Sequence, residues 1–293
     1  MNKVDVIVNV YGKPWQTLCT LKSLLKVSGE HIDKIYLIEE KVQPYGDNIV
    51  FILKEFDNLI HYIPKEYIFL MPSKGNMNDA DNRYTYRYQY GIENSDKKYV
   101  FITHNDILYH DDIIGHMLDK IDKCVGIGLI GQCWNCPAFA GGVCDGERHA
   151  EYNPTYEEVL KLSQTHRYAR SAHHDRLLDR TRPMPLPECR LNEFACIINR
   201  NALIDECYPN GDTPLFSTVD SIDTATSWFR SMRLKGYNFK NFDIYKDSTH
   251  CYFSRVSDNV EDGYVSGCGT QLDQLKYIKA EAFANKYYKE NLL

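Results

Sequence analysis

Tyr99-Val100-Phe101-Ile102-Thr103-His104-Asn105-Asp106 decides how the rest of the chain is read. Five strand-forming residues end abruptly in three polar ones, two of which can hold a metal ion. Around this run, strand-like and helix-like segments alternate. Val4–Tyr11 reads as a first strand. Pro14–Val27 reads as a helix, with Pro14 at its first position and Leu18, Leu21, Leu24 and Leu25 on one face. Ile35–Ile38 is a short buried strand, Asp79–Glu93 a helix, Asp111–Lys123 a helix with acidic residues at its start, and Val125–Ile130 a strand. This alternation predicts an α/β fold: a mostly parallel sheet with helices on both faces.

The pattern breaks over 131–192, which is rich in polar, Pro and Cys residues around one helix, Tyr156–Ser163. It resumes at Phe194–Ile198, in a helix ending near Gly236, in a strand Phe239–Tyr245, and in a C-terminal helix over about 271–293. The expectation is one domain over 1–293 that carries 131–192 as an inserted region.

Bulk properties narrow the function. The chain has 293 residues, 43% of them hydrophobic, enough to bury a sizeable core. Its formal net charge of −6 makes nucleic acid and anionic membranes poor electrostatic partners. No apolar run approaches the roughly 18 residues of a membrane span. Asp5 and Asn9 interrupt the first apolar segment, so it reads as a strand rather than a signal peptide, which places the protein in the cytoplasm. There the ten cysteines are expected to be buried thiols or metal ligands rather than a disulfide framework.

Ligands of an open α/β sheet bind beyond the carboxyl ends of its strands. Those ends carry Tyr11-Gly12-Lys13-Pro14, Glu39-Glu40-Lys41 and His104-Asn105-Asp106. A diphosphate needs a divalent cation, and hard cations take carboxylate oxygens.

Several segments together resemble the GT-A glycosyltransferase superfamily, in particular its family-2-like members. They are Val4–Tyr11 with the leucines that follow, Lys34–Glu40, and Asn82-Arg83…Gly91-Ile92 leading into Tyr99–Asp106, which stands where the family has its DXD motif. The likeness covers about 1–130. It implies transfer of a sugar from a nucleoside-diphosphate sugar to the hydroxyl of a glycan or glycoconjugate, as in polysaccharide biosynthesis. It also implies that Glu39 or Glu40, with Tyr11 and Asn105, contacts the nucleotide, and that Arg83 lies near the diphosphate. Asp106 would bind Mn²⁺ or Mg²⁺, joined by His104, which replaces the motif's first Asp, and by His250. Asp220-Ser221-Ile222-Asp223, ahead of Gly236-Tyr237, resembles the family's acidic motif, so Asp220, Asp223 and Glu193 are the candidate bases for deprotonating the acceptor.

Two features lie outside that likeness. Cys133-Trp134-Asn135-Cys136, with Cys144 and Cys189, has the composition of a structural Zn²⁺ site, and His149 is an alternative ligand. His166, Arg167, Arg170, His173, His174, Arg176, Arg180 and Arg182 form a dense basic stretch suited to an anionic acceptor. Two rival readings are a sugar nucleotidyltransferase, for which the loop after the first strand is too poor in glycine, and a zinc-stabilised binding module that has lost activity.

Overall fold

The computed structural model describes residues 3–66, 76–131, 133–168, 170–186, 188–218, 222–257 and 274–293. Seven strands form one sheet: β1 (Val4–Val10), β2 (Ile32–Glu39), β3 (Leu59–Tyr62), β4 (Tyr99–Thr103), β6 (Gly126–Ile130), β7 (Leu191–Asn199) and β8 (Phe239–Asn241). Their order is β3-β2-β1-β4-β7-β6-β8, while β5 (Ile107–Tyr109) and β9 (Ser248–His250) form a separate antiparallel pair. Only β7 runs against its sheet neighbours, β4 and β6; the remaining pairs are parallel. The expected mostly parallel α/β sheet is thus present, with β7 as its one reversed member.

The principal helices are α1 (Pro14–Ser28), α2 (Gln89–Asn94), α3 (Ile113–Lys120), α4 (Tyr156–Thr165), α5 (Thr226–Leu234), α6 (Tyr252–Ser257) and α7 (Gln274–Asn291). Alternation along β1 sends its side chains to opposite faces. Val4, Val6, Val8 and Val10 pack with Leu18, Leu21 and Leu24 of α1, Ile113 and Met117 of α3, and Ala280 and Ala284 of α7. Ile7 packs in a second core with Ile92 of α2 and Trp228, Phe229 and Met232 of α5. Helices therefore cover both faces.

No Ser, Thr, Asp or Asn precedes Pro14 to cap α1, and Lys13 stands at the cap position with φ 59°. The cap comes from the far end of the chain. The Glu281 carboxylate accepts the Trp15 and Gln16 N–H groups at 2.8 and 3.2 Å, and the Tyr277 hydroxyl accepts that of Lys13 at 2.6 Å. So α7 closes the N-terminus of α1 as well as covering its apolar side.

Two sequence expectations need correction. Asp79–Glu93 is not one helix: a four-residue helix, Ala80–Arg83, is separated from α2 by turns, and Tyr88 sits at φ 66°, which no continuous helix accommodates. The strand expected over Phe239–Tyr245 stops at Asn241, because the Asp243 side chain accepts the Tyr245 N–H and starts a 3₁₀ turn instead. The 131–190 segment holds a small core of its own around Ala138, Cys144, Val159 and Leu186. Its α4 begins with a capping box between Thr155 and Glu158.

Candidate active site

The chain order reverses between β1 and β4, so the crevice beyond their carboxyl ends is the topological switch point of the sheet. Three connections build a site there. Asn105 ties the two strand ends together, its Nδ2 donating to the Gly12 carbonyl at 3.0 Å and to Thr17 Oγ1 at 3.1 Å. Pairing of Thr103 with Ala195 sets Glu193 beside His104, and the His104 N–H donates to the Phe194 carbonyl at 2.9 Å. Pairing of Ile107 with His250 delivers His250 to Asp106.

His104, Asp106 and His250 consequently present one donor atom each within 4.8 Å of one another. His250 stacks flat on Phe194, with ring centroids 4.5 Å apart, and its Nε2 lies 3.5 Å from Asp106 Oδ1. That oxygen is buried and accepts no aligned hydrogen bond, so it has lone pairs to give. The other carboxylate oxygen, Oδ2, takes the Lys13 Nζ at 2.7 Å in a buried ion pair. Burial alone would raise the Asp106 pKa, but Lys13 and then His250 outweigh it and hold the group well below the ordinary carboxylate value. Burial lowers His104 against the opposing pull of Glu193, which favours the neutral imidazole. A buried carboxylate oxygen without an aligned hydrogen bond, beside two imidazoles, is a donor set that can hold a divalent cation.

Glu193, one of the candidate bases, has both carboxylate oxygens beside cationic or imidazole partners. Its Oε2 takes Arg190 Nη1 at 2.7 Å, and its Oε1 lies 3.4 Å from His104 Nε2. Burial opposes ionisation, yet the Arg190 guanidinium and then His104 hold its carboxyl below the ordinary value. Arg190 also reaches Asp223 Oδ2 at 3.2 Å, and Asp223 is the more exposed of the two carboxylates it holds. Asp220 lies outside the described residues.

The remaining predicted contacts surround this centre unevenly. Tyr11 is exposed beside Glu40 at the ends of β1 and β2; burial, then Glu40, raises its phenol above the ordinary value. Glu39 pairs with His61 at 2.7 Å. The Arg83 guanidinium is bound bidentately by Glu93 at 2.6 and 2.8 Å and donates to the Met77 carbonyl, so its observed duty is to brace α2. Lys13 and Arg190 were not singled out from sequence. Each is a lone cation in its segment, and only the sheet places it against a carboxylate.

In the 131–190 segment, Cys133, Cys136, Cys144, Cys189 and His149 line one cavity. No three of their donor atoms come within 4.8 Å of one another. The basic stretch is largely engaged within its own segment: Arg167 pairs with Asp175, and Arg170 and His174 with Glu188. Cys251 is disulfide-bonded, so reduced thiols do not describe every cysteine. Among the described residues no helix is long and apolar enough to cross a membrane.

No family model matches the chain, and no curated protein matches it. Among solved structures it is similar to the mannosyltransferase PcManGT from Pyrobaculum calidifontis in complex with GDP-Man and Mn²⁺, at 10% identity and a TM-score of 0.46, covering 99% of this chain and 76% of that one. It is also similar to S. aureus TarS 1–349, at 12% identity and a TM-score of 0.43, covering 99% of this chain and 72% of that one.

Proposed function

We propose that the chain is a glycosyltransferase that moves a sugar from a nucleoside-diphosphate donor to a hydroxyl acceptor, with the donor diphosphate at the β1–β4 switch point. The observation that carries this reading is the buried Asp106 Oδ1, which accepts no aligned hydrogen bond and faces His250 at 3.5 Å, with His104 completing the donor set. His104, Asp106 and His250 would hold Mn²⁺ or Mg²⁺. When bound, the ion neutralises charge developing on the leaving diphosphate.

The chain's own residues do the rest. Glu193, anchored by Arg190, accepts from His104 and fixes its ring. Asp223, on the far side of the same guanidinium, is the carboxylate best placed to take the acceptor's proton, because it keeps an exposed face while Glu193 is fully engaged. Tyr11 and Glu40 offer a ring and an acceptor for the nucleoside at the neighbouring strand ends. The 131–190 segment would choose the acceptor.

A second reading, metal-independent transfer, is favoured by one contact: the Lys13 ammonium already neutralises Asp106. A thermal-shift panel of UDP-, GDP-, CMP- and dTDP-sugars separates the two, run with Mn²⁺ and with EDTA on wild type and Asp106→Ala. Binding to the native state alone raises its melting temperature by mass action. A shift for one nucleotide that needs Mn²⁺ and disappears in Asp106→Ala supports the metal site. A shift indifferent to Mn²⁺ supports the second reading, and no shift with any nucleotide overturns both.

A further inference from the structure

The cavity in the 131–190 segment lies away from the switch point and has a donor set of another kind. Cys133, Cys136, Cys144 and Cys189 come from three separate stretches of chain yet line one space, with His149 in the same wall. Sequence distance alone would not bring Cys189 to Cys133; the return of the chain into β7 does so.

One detail shows that a donor is prepared. His149 is buried, and its Nδ1 lies 2.7 Å from the Gly146 carbonyl, which can accept only from an N–H. That bond assigns the proton to Nδ1 and leaves Nε2 as a bare lone pair, and Nε2 is buried without any hydrogen-bond partner. An imidazole whose far nitrogen donates to a backbone carbonyl while the near one has no partner is the arrangement of a metal-ligating histidine.

We propose that this cavity is a binding site for one soft divalent cation of the zinc class, ligated by the thiolates of Cys133, Cys136, Cys144 and Cys189, with His149 able to replace one of them. Sulfur and imidazole donors select this class over Mg²⁺ or Ca²⁺. Four thiolates around one ion at about 2.3 Å require closer sulfurs than the cavity now shows, so the ion must draw the walls together. Its physical consequence is to brace a segment whose own apolar core is small.

The test uses the full chain with its free thiols reduced and the Cys251 disulfide kept, with Co²⁺ as probe and metal content measured after Zn²⁺ loading and desalting. A thiolate-to-cobalt charge-transfer band with strong tetrahedral d–d bands is expected at one equivalent, displaced by Zn²⁺. Asp106→Asn should leave those bands unchanged, which separates this site from the switch-point triad. Cys136→Ser and Cys189→Ser should each weaken binding at least tenfold. A variant that fails to fold by circular dichroism is replaced by Cys144→Ser, which should weaken Co²⁺ binding at least tenfold; undiminished affinity in that folded chain overturns the proposal. Absence of the thiolate band in wild type with its free thiols reduced, or undiminished Co²⁺ affinity in a folded Cys136→Ser chain, overturns the proposal.

Discussion

Replacing Lys13 by Met tests how the switch point holds its charge. Nζ lies 2.7 Å from Asp106 Oδ2, and both side chains are almost wholly buried. At that separation the attraction is about 6 kcal/mol for an effective dielectric of about 20. Desolvation offsets most of it, but removing one partner alone strands a buried carboxylate, which costs about 3–5 kcal/mol. Met keeps the length and the apolar stem, and it meets the same φ of 59° that Lys already tolerates, so the change reads charge rather than backbone strain. Urea unfolding in EDTA at neutral pH should show a loss of about 3 kcal/mol or more. The sign of the pH dependence follows from the lowered Asp106 pKa: its stabilisation is present above the unfolded value and is lost as pH falls through the folded one. Without Lys13 that loss moves to higher pH. If His104, Asp106 and His250 form a cation site, Mn²⁺ should restore much of the deficit in the variant and act less on wild type, where Lys13 competes. A deficit below about 1 kcal/mol in EDTA would refute the ion-pair reasoning, since surface pairs contribute no more than that; full deficit without Mn²⁺ rescue would refute the cation site.

Three further outcomes follow from the same structure. Burial raises Glu281 to about 7, so wild type should lose stability as pH rises from the unfolded carboxylate value through about 7. The span is roughly 3 kcal/mol, and Glu281→Gln should flatten it in urea midpoints across that range. Gly91→Ala places a Cβ 2.9 Å from three side-chain carbons of Ile7 beneath α2; chemical denaturation should show a cost of about 1–3 kcal/mol from overpacking. Glu193→Gln removes a carboxylate paired with Arg190 and facing His104; it should destabilise by about 3–5 kcal/mol and weaken Mn²⁺ binding by calorimetry, whereas unchanged Mn²⁺ affinity would mean that His104 needs no such support.

The sequence by itself determined the α/β layering, because strand and helix periodicities are local and the apolar residues of β1 and α1 already mark their buried sides. It also marked the strand ends where polar residues gather, among them His104 and Asp106. Tertiary structure decided what those residues do. Lys13 reads as a loop lysine until the β1–β4 pairing drives its ammonium onto Asp106, and Glu193 reads as a free acid until Arg190 claims it. Arg83 and Asn105, expected at the donor, are taken up by Glu93 and by Gly12 and Thr17. The cap that Glu281 lends to α1 was invisible for a physical reason. It depends on groups brought together across the fold, and local propensity records nothing of a partner 265 residues away.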